Sequence, residues 1–97
     1  MAKLICLNSV SQWEREQVSK YPEIGIFIEK LKNMIREKPE IGFPDPILSG
    51  SGKALPCRKR SVNITLFSRR YAIGYSYITA SYLYNENDIV IAKMIYS

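Results

Sequence analysis

The sequence predicts an α+β fold, with two N-terminal helices packed on one face of a mostly antiparallel sheet of four to five strands. Residues 24–35 repeat apolar side chains at the 3.6-residue period of a helix. In residues 62–67 and 71–78, two sets of side chains alternate at the two-residue period of a strand. Residues 89–96 are almost continuously apolar. The predicted order is β-α-α-β-β-β-β, within one domain spanning residues 1–97.

The N-terminal half is predicted to begin with a strand and a helix. Residues 4–7 form a short apolar run of strand character, and Asn8 ends it. Two overlapping capping-box sequences, which start at Ser9 and at Ser11, predict a helix over residues 10–20. We expect the N-terminal strand to join the sheet that the C-terminal half forms.

The second helix has the most regular pattern in the chain. Pro22 suits its first turn, and the helix should end near Lys38 because Pro39 disfavours helical backbone in the residue before it. Its predicted buried stripe has five apolar members: Ile24, Phe27, Ile28, Leu31 and Ile35. Residues 39–53 are rich in proline, glycine and serine, which predicts a loop.

The C-terminal half is predicted to contain strands and turns alone. Residues 68–70 (Ser-Arg-Arg) indicate a tight turn between two strands, and Gly74 within the second strand indicates a bulge or a close backbone contact. The last strand, residues 89–96, is predicted to be central and buried on both faces because it carries few polar side chains. Both helices then cover one face, which leaves the remaining tyrosines and the basic side chains to the other.

The whole net charge of +5 lies in the second half of the chain. Residues 1–52 carry seven basic and seven acidic residues, whereas residues 53–97 carry seven basic residues against Glu86 and Asp88. Six of the seven tyrosines lie in that second half. A basic, tyrosine-rich sheet is typical of a surface that meets a polyanion. The alternative is that tyrosine is simply a good strand residue and the charges form a solvated rim.

Composition excludes several kinds of site. The chain has no histidine, so catalysis would fall to Lys, Arg, Tyr or carboxylates. Cys6 and Cys57 lack CxxC spacing, which predicts reduced, buried thiols rather than a zinc site or a disulfide. No apolar run approaches the roughly 20 residues of a membrane span, and the N-terminal apolar stretch is too short for a signal peptide. A cytoplasmic location is therefore expected.

Four segments, together with the order of elements, resemble the RelE/ParE superfamily of bacterial toxins. Residues 28–42 (IEKLKNMIREKPEIG) resemble the helix and Pro-x-x-Gly signature of that superfamily, and residues 55–60 (LPCRKR) resemble its basic strand. Residues 70–75 (RYAIGY) resemble its tyrosine-containing strand, and residues 89–96 its closing apolar strand. The resemblance covers residues 1–96 and implies a RelE/ParE-like fold.

The resemblance also implies a function and partners. Superfamily members are growth-inhibiting toxins of type II toxin–antitoxin systems, and a cognate antitoxin neutralises them. RelE-like members are endoribonucleases (mRNA interferases) that cut mRNA in the decoding site of the ribosome, whereas ParE-like members inhibit DNA gyrase. Neither a metal ion nor any other cofactor is implied, and no membrane partner.

The resemblance to the RelE/ParE superfamily also implies site residues, which are assigned by their positions in the matching segments. The implied catalytic residues are Lys53, Lys59, Arg60, Arg70 and Tyr96. The implied nucleic-acid contacts are Arg58, Arg69, Tyr75 and Lys93. Strand alternation places Arg58 and Arg60 on one face and Lys59 on the other.

RNA cleavage by the 2′-hydroxyl needs proton removal, a stabilised phosphate and protonation of the leaving group. Arginine suits the phosphate because its planar fork pairs two oxygens at once. Clustered cations lower the pKa of a neighbouring Lys or Tyr towards that of a usable base. On this hypothesis Lys53 or Lys59 is the base and Arg60 and Arg70 hold the phosphate. Stacking on a nucleobase falls to one of two tyrosines, Tyr75 or Tyr96.

Two classes of function stay open at this stage. The basic sheet favours a ribosome-dependent mRNA endonuclease, because mRNA and rRNA are both polyanions. The absence of histidine, and Met94-Ile95 where many of the nucleases have arginine, favour a gyrase inhibitor or an inactive basic protein-binding relative. The expected partners are accordingly a cognate antitoxin together with either the ribosome and mRNA or DNA gyrase.

Overall fold

A computed structural model of the chain describes residues 2–45, 47–48 and 52–97. Among them are three α-helices: α1 (Asn8–Lys20), α2 (Ile24–Glu37) and α3 (Thr65–Tyr71). One turn of 3₁₀ helix (Pro39–Ile41) follows α2. The strands are β1 (Lys3–Cys6), β2 (Phe43–Pro44), β3 (Ile47–Leu48), β4 (Ala54–Leu55), β5 (Arg58–Asn63), β6 (Tyr77–Tyr84) and β7 (Asp88–Tyr96).

Five of the strands form one mixed sheet in the order β1-β7-β6-β5-β2. The β7-β6-β5-β2 neighbours are antiparallel, while β1 joins the edge of β7 in parallel. A parallel pair needs a long connection, and here the three α-helices and strands β2 to β6 lie between β1 and β7 in the chain. Strands β3 and β4 form a separate two-stranded ribbon. The predicted α+β class, the five-stranded sheet and the joining of the N-terminal strand are confirmed.

The predicted stripe of α2 forms the centre of the core. Four of its five members are buried and Phe27 is half-buried. The helix ends at Glu37, one residue before the predicted end. Helix α1 starts at Asn8, and the capping-box prediction is wrong, because Leu7 is the N-cap and no side chain bonds there.

A largely buried ion pair joins α1 to α2. The Lys32 ammonium lies 2.9 Å from a Glu14 carboxylate oxygen, and both side chains are about five-sixths buried. Burial opposes the charge on Lys32, but the hydrogen bond and the charge of Glu14 outweigh it and raise the pKa of Lys32. Pairing therefore offsets the desolvation cost of placing charge between two helices.

The third helix contradicts the strand-and-turn prediction for residues 62–78. The strand ends at Asn63, whose side chain accepts a hydrogen bond at 2.9 Å from the N–H of Thr65, the first residue of α3. Phe67 and Tyr71, one helical turn apart, pack their rings 4.7 Å apart, and Phe67 also packs against Phe27. The tertiary contact of Phe67 with Phe27, together with the ring contact inside the helix, outweighs the strand propensity of the segment.

The prediction of a bulge or close backbone contact at Gly74 inside a strand is wrong, and the end of α3 shows why. Ala72 adopts a left-handed conformation with φ 53° and closes the helix. Gly74, with φ 85°, lies in the loop before β6 and not inside a strand. The register irregularity occurs instead between Ser81 and Tyr82, in the β6–β7 pair.

Two further predictions are corrected by the sheet. The last strand, β7, is interior, but only one of its faces is buried: Ile89, Ile91 and Met94 are buried, whereas Lys93 and Ile95 are exposed. The predicted 39–53 loop contains the 3₁₀ turn and strands β2 and β3. Residues 46 and 49–51 of that loop lie outside the described residues.

Candidate nucleic-acid interface

The sheet has a covered face and an open face, and the strand register assigns each basic residue to one of them. Arg60 lies opposite the buried Ala80, and Arg58 lies opposite the buried Tyr82, so both arginines share the face that packs on the helices. Lys59, between them, lies on the other face. The predicted alternation of these three residues is confirmed, but the prediction that the basic side chains as a group occupy the open face is wrong.

The open face carries three rows of mainly polar side chains across β5, β6 and β7. In the first row, Lys59 lies opposite Ser81 and Ser81 lies opposite Lys93. The two lysines therefore stand two strand spacings apart, about 10 Å, with a serine between them. The second row comprises Ser61, Thr79 and Ile95, and the third comprises Asn63, Tyr77 and Ser97.

Hydroxyl groups of the second and third rows form a hydrogen-bonded chain, whereas Ser81 of the first row bonds to Asp45. The Thr79 hydroxyl lies 2.7 Å from the Ser61 hydroxyl and 2.6 Å from the Ser97 hydroxyl. The Ser81 hydroxyl donates to Asp45 Oδ2 at 2.6 Å. Because each hydroxyl both donates and accepts, such a surface offers several hydrogen bonds to sugar hydroxyls or phosphate oxygens.

Asp45 lies at the end of β2 and forms one wall of this surface. Its backbone N–H donates to the Cys57 carbonyl at 2.8 Å, and its side chain accepts the bond from Ser81. Together with Lys59, Lys93 and the hydroxyl residues it lines a groove of about 300 Å³. We call this space the open-face groove; its lining residues are Asp45, Lys59, Ser61, Thr79, Ser81, Lys93, Ile95 and Ser97.

Lys59 and Lys93 are exposed and available to a ligand. Among the described residues, no carboxylate oxygen lies within 4.0 Å of either ammonium group. With Asp45 on its wall, the groove has a formal charge of +1 from its side chains. The two ammonium groups can therefore meet an anion without first breaking an ion pair.

Arg58 and Arg60 instead tie the sheet to the end of α2. Arg60 Nη1 donates to the Met34 carbonyl at 2.9 Å, and Arg58 Nη1 donates to the Gly42 carbonyl at 2.7 Å. Tyr82 completes the set, because its hydroxyl donates to the Pro39 carbonyl at 2.6 Å. These bonds hold the end of α2 and the 3₁₀ turn after it against the sheet, and the Met34 carbonyl also accepts a bond from the Lys38 N–H.

Arg69 and Arg70 lie in the last turn of α3, not at a hairpin tip, which corrects their predicted position. Arg70 pairs with Glu23 at 3.1 Å and stands over the Tyr71 ring. Both arginines are exposed, and neither lines the open-face groove.

Tyr96 and Tyr75 stack on one another at one end of the sheet. Tyr96 lies opposite the buried Ile78, on the covered face, and its hydroxyl donates to the Gln17 side chain at 2.7 Å. Burial, with a smaller contribution from Tyr21, raises the pKa of Tyr96 to about 12. A phenol with this pKa is a poor base at neutral pH. Tyr75 is exposed, and its ring lies parallel to that of Tyr96 with 6.0 Å between centroids.

The remaining predicted residue, Lys53, is exposed just before β4 and does not line the open-face groove. Of the nine predicted site residues, Lys59 and Lys93 line the open-face groove, and Lys59 also lines a second pocket together with Arg60. Sequence reasoning missed Asp45, the hydroxyl residues and Tyr77. The serines and threonine at positions 61, 79 and 81 were visible as the polar half of the strand alternation.

The structure offers no metal site in the region it describes, since no group of three His, Cys, Asp or Glu side chains comes together there. Cys6 and Cys57 are free thiols, and burial raises the pKa of each. No described helix has the length and apolarity needed to cross a membrane.

A larger hollow, of about 750 Å³, runs along the outer side of α2. All of its described lining residues belong to that helix and to the turn before it, so no second element of the described part of the chain closes over it. A convex helix surface of this kind does not enclose a ligand.

No family model, curated protein or solved structure matches this chain.

Proposed function

We propose that this chain is the toxin of a bacterial type II toxin–antitoxin pair and cuts mRNA on the ribosome. In this proposal the open face of the sheet binds single-stranded RNA, and a cognate antitoxin blocks that binding. One observation carries the proposal: Lys59, Ser81 and Lys93 form a row on the uncovered face of the sheet.

Charge and geometry support a phosphate as the ligand of this row. Two lysines whose backbones lie about 10 Å apart can bring their ammonium groups to one phosphate from both sides, because each lysine stem spans several ångströms. The Ser81 hydroxyl lies below that position, but it is nearly buried at 3 % exposure and serves to orient Asp45. The hydroxyl chain through Thr79 then extends along the path that a nucleic-acid backbone would follow.

Single-stranded RNA fits this face better than a duplex. Tyr77 is exposed in the third row, four residues along β6 from Ser81, which corresponds to about 13 Å. An exposed aromatic ring at that distance offers a stacking face for an unpaired nucleobase. The paired bases of a duplex could not reach it, since sequence-tolerant stacking requires splayed bases.

Primer extension on a defined mRNA in a cell-free translation system tests this function. Wild-type protein should produce new, ribosome-dependent 5′ ends, and the variant Lys59→Gln/Lys93→Gln should reduce them at least ~10-fold, because each lost charged contact is worth about 1.5–3 kcal/mol. Lys30→Gln/Lys38→Gln is the matched control, since it removes the same charge from exposed sites outside the groove. Intact mRNA with the wild-type protein would overturn the proposal.

One observation favours a second candidate, inhibition of a protein such as DNA gyrase. Phe43 is 73 % exposed and, with Ile41, walls a pocket of about 260 Å³ beside Lys59. An exposed aromatic residue beside a basic residue is typical of a protein–protein contact. If Phe43→Ser abolishes growth inhibition while the Lys59→Gln/Lys93→Gln variant retains it, the target is a protein and not RNA.

A further inference from the structure

Asp45 is an unexpected residue for a surface that binds a polyanion. It is the only carboxylate side chain among the described residues that line the open-face groove. A negative charge there weakens phosphate binding by repulsion. It forms no ion pair within 4.0 Å with Lys59 or Lys93, so pairing with these lysines does not account for its position.

The carboxylate of Asp45 is held in place from two directions. The backbone is fixed by the bond of 2.8 Å from its N–H to the Cys57 carbonyl, directly after the β2–β5 pairing. The side chain is oriented by the Ser81 hydroxyl at 2.6 Å. Since Ser81 is the residue between the two lysines, this bond holds the carboxylate within the groove that both lysines line.

We propose that Asp45 is the general base of the RNA-cleavage reaction, an inference that rests on the proposed function. Asp45 removes the proton from the 2′-hydroxyl, and the 2′-oxygen uses the released electron pair to form a bond to phosphorus. The bond between phosphorus and the 5′-oxygen of the next nucleotide breaks and leaves a 2′,3′-cyclic phosphate. A lysine ammonium of the groove, Lys59 or Lys93, donates the proton that the departing 5′-oxygen takes up.

The arrangement separates the two proton-transfer roles without histidine. The base is a carboxylate at the end of β2, and the acid is an ammonium group on β5 or β7. The same ammonium groups offset the negative charge that develops on the phosphate. Asp45 therefore contributes to the rate while it opposes binding, and these opposite effects make the proposal testable.

Asp45→Asn is the variant that tests the inference. Asparagine keeps an oxygen that accepts the Ser81 bond, but it cannot take up the proton at neutral pH. We expect single-turnover cleavage of mRNA on programmed ribosomes to fall about 10²- to 10⁴-fold, the usual contribution of a general base. Affinity for a fluorescein-labelled single-stranded RNA should stay equal or increase, because a repelling charge is removed.

Three controls keep the outcomes distinct. Glu40→Gln removes an exposed carboxylate outside the groove and should leave cleavage unchanged. Asp45→Ala should be inactive, and added formate should restore part of its cleavage by supplying a free carboxylate. Replacement of the scissile ribose by 2′-deoxyribose should abolish cleavage by the wild-type protein, and mass spectrometry of the wild-type product should show the cyclic phosphate.

This inference alone is overturned if the wild-type protein cleaves mRNA and Asp45→Asn cleaves it at a rate within a few fold of the wild-type rate. Parallel loss of cleavage, affinity and thermal stability in Asp45→Asn, without formate rescue of Asp45→Ala, would assign Asp45 a structural role and also overturn it. Absence of cleavage by the wild-type protein would instead overturn the proposed function, and the inference with it.

Discussion

Substitutions of two adjacent residues of β5 should affect the stability of the fold and the affinity for RNA separately. Arg60 bonds to the end of α2, whereas Lys59 is exposed in the open-face groove. A hydrogen bond from a charged donor contributes about 1.5–3 kcal/mol, and 1 kcal/mol shifts the melting temperature of a domain of this size by about 4–8 °C. Arg60→Ala should therefore lower the melting temperature by roughly 8–16 °C, for a loss of about 2 kcal/mol.

Lys59→Ala is the matched comparison because it truncates a basic residue of the same strand. It should change the melting temperature by less than about 4 °C, since exposed substitutions typically cost under 0.5 kcal/mol. Thermal unfolding followed by circular dichroism measures both variants, and fluorescence anisotropy at a temperature where both are folded measures RNA affinity. Unchanged stability in Arg60→Ala, together with lost RNA affinity, would refute this division of roles.

Three other predictions follow from individual contacts. Gly42→Ala should destabilise the fold by about 1–3 kcal/mol, because a new Cβ would lie 3.0 Å from Tyr82 Cζ. Urea unfolding measures this loss, and an unchanged urea midpoint would contradict the close approach. Tyr96→Phe should cost about 1 kcal/mol below pH 10 through loss of the Gln17 bond. Since the folded pKa of Tyr96 is raised to about 12, the wild-type protein should lose stability as the pH rises from 10 to 12, and the variant should lose less; parallel pH profiles would refute this assignment. Lys93→Gln should reduce the slope of log affinity against log salt concentration by about 0.7, the value for one phosphate contact on a single strand, whereas an equal slope would remove that contact.

Periodicity predicted the parts of the fold in which local and tertiary preferences agree. The stripe of α2 was predictable because its apolar residues recur at the helical period and all face one core. Alternation likewise separated Lys59 from Arg58 and Arg60. Alternation could not show whether Lys59 or the two arginines would lie on the face covered by the helices, because that depends on where the helices pack.

Helix α3 could not be predicted from its own residues. Thr65–Tyr71 contains several residues that favour strands, and seven residues give a weak helical signal. Its stability comes from rings far away in the sequence, since Phe67 packs near Phe27 and Tyr21. A single sequence shows no such pairing.

The composition of the candidate site was only half predictable. Residues 53–97 contain seven basic residues, and Lys59 and Lys93 are two of them. The fold places the other five outside the open-face groove. Asp45 was inconspicuous because it lies in a proline-rich segment. Only the pairing of β2 with β5 brings it against Ser81.

Contact between RNA and the open face of the sheet can be tested by titrating the isotope-labelled protein with a short single-stranded RNA and following backbone amide shifts by NMR. We expect the largest shifts on the rows of Lys59, Ser81 and Lys93 and of Ser61 and Thr79, with small shifts in α1 and α2. Shifts confined to the helices, or to α3 with Arg69 and Arg70, would contradict it.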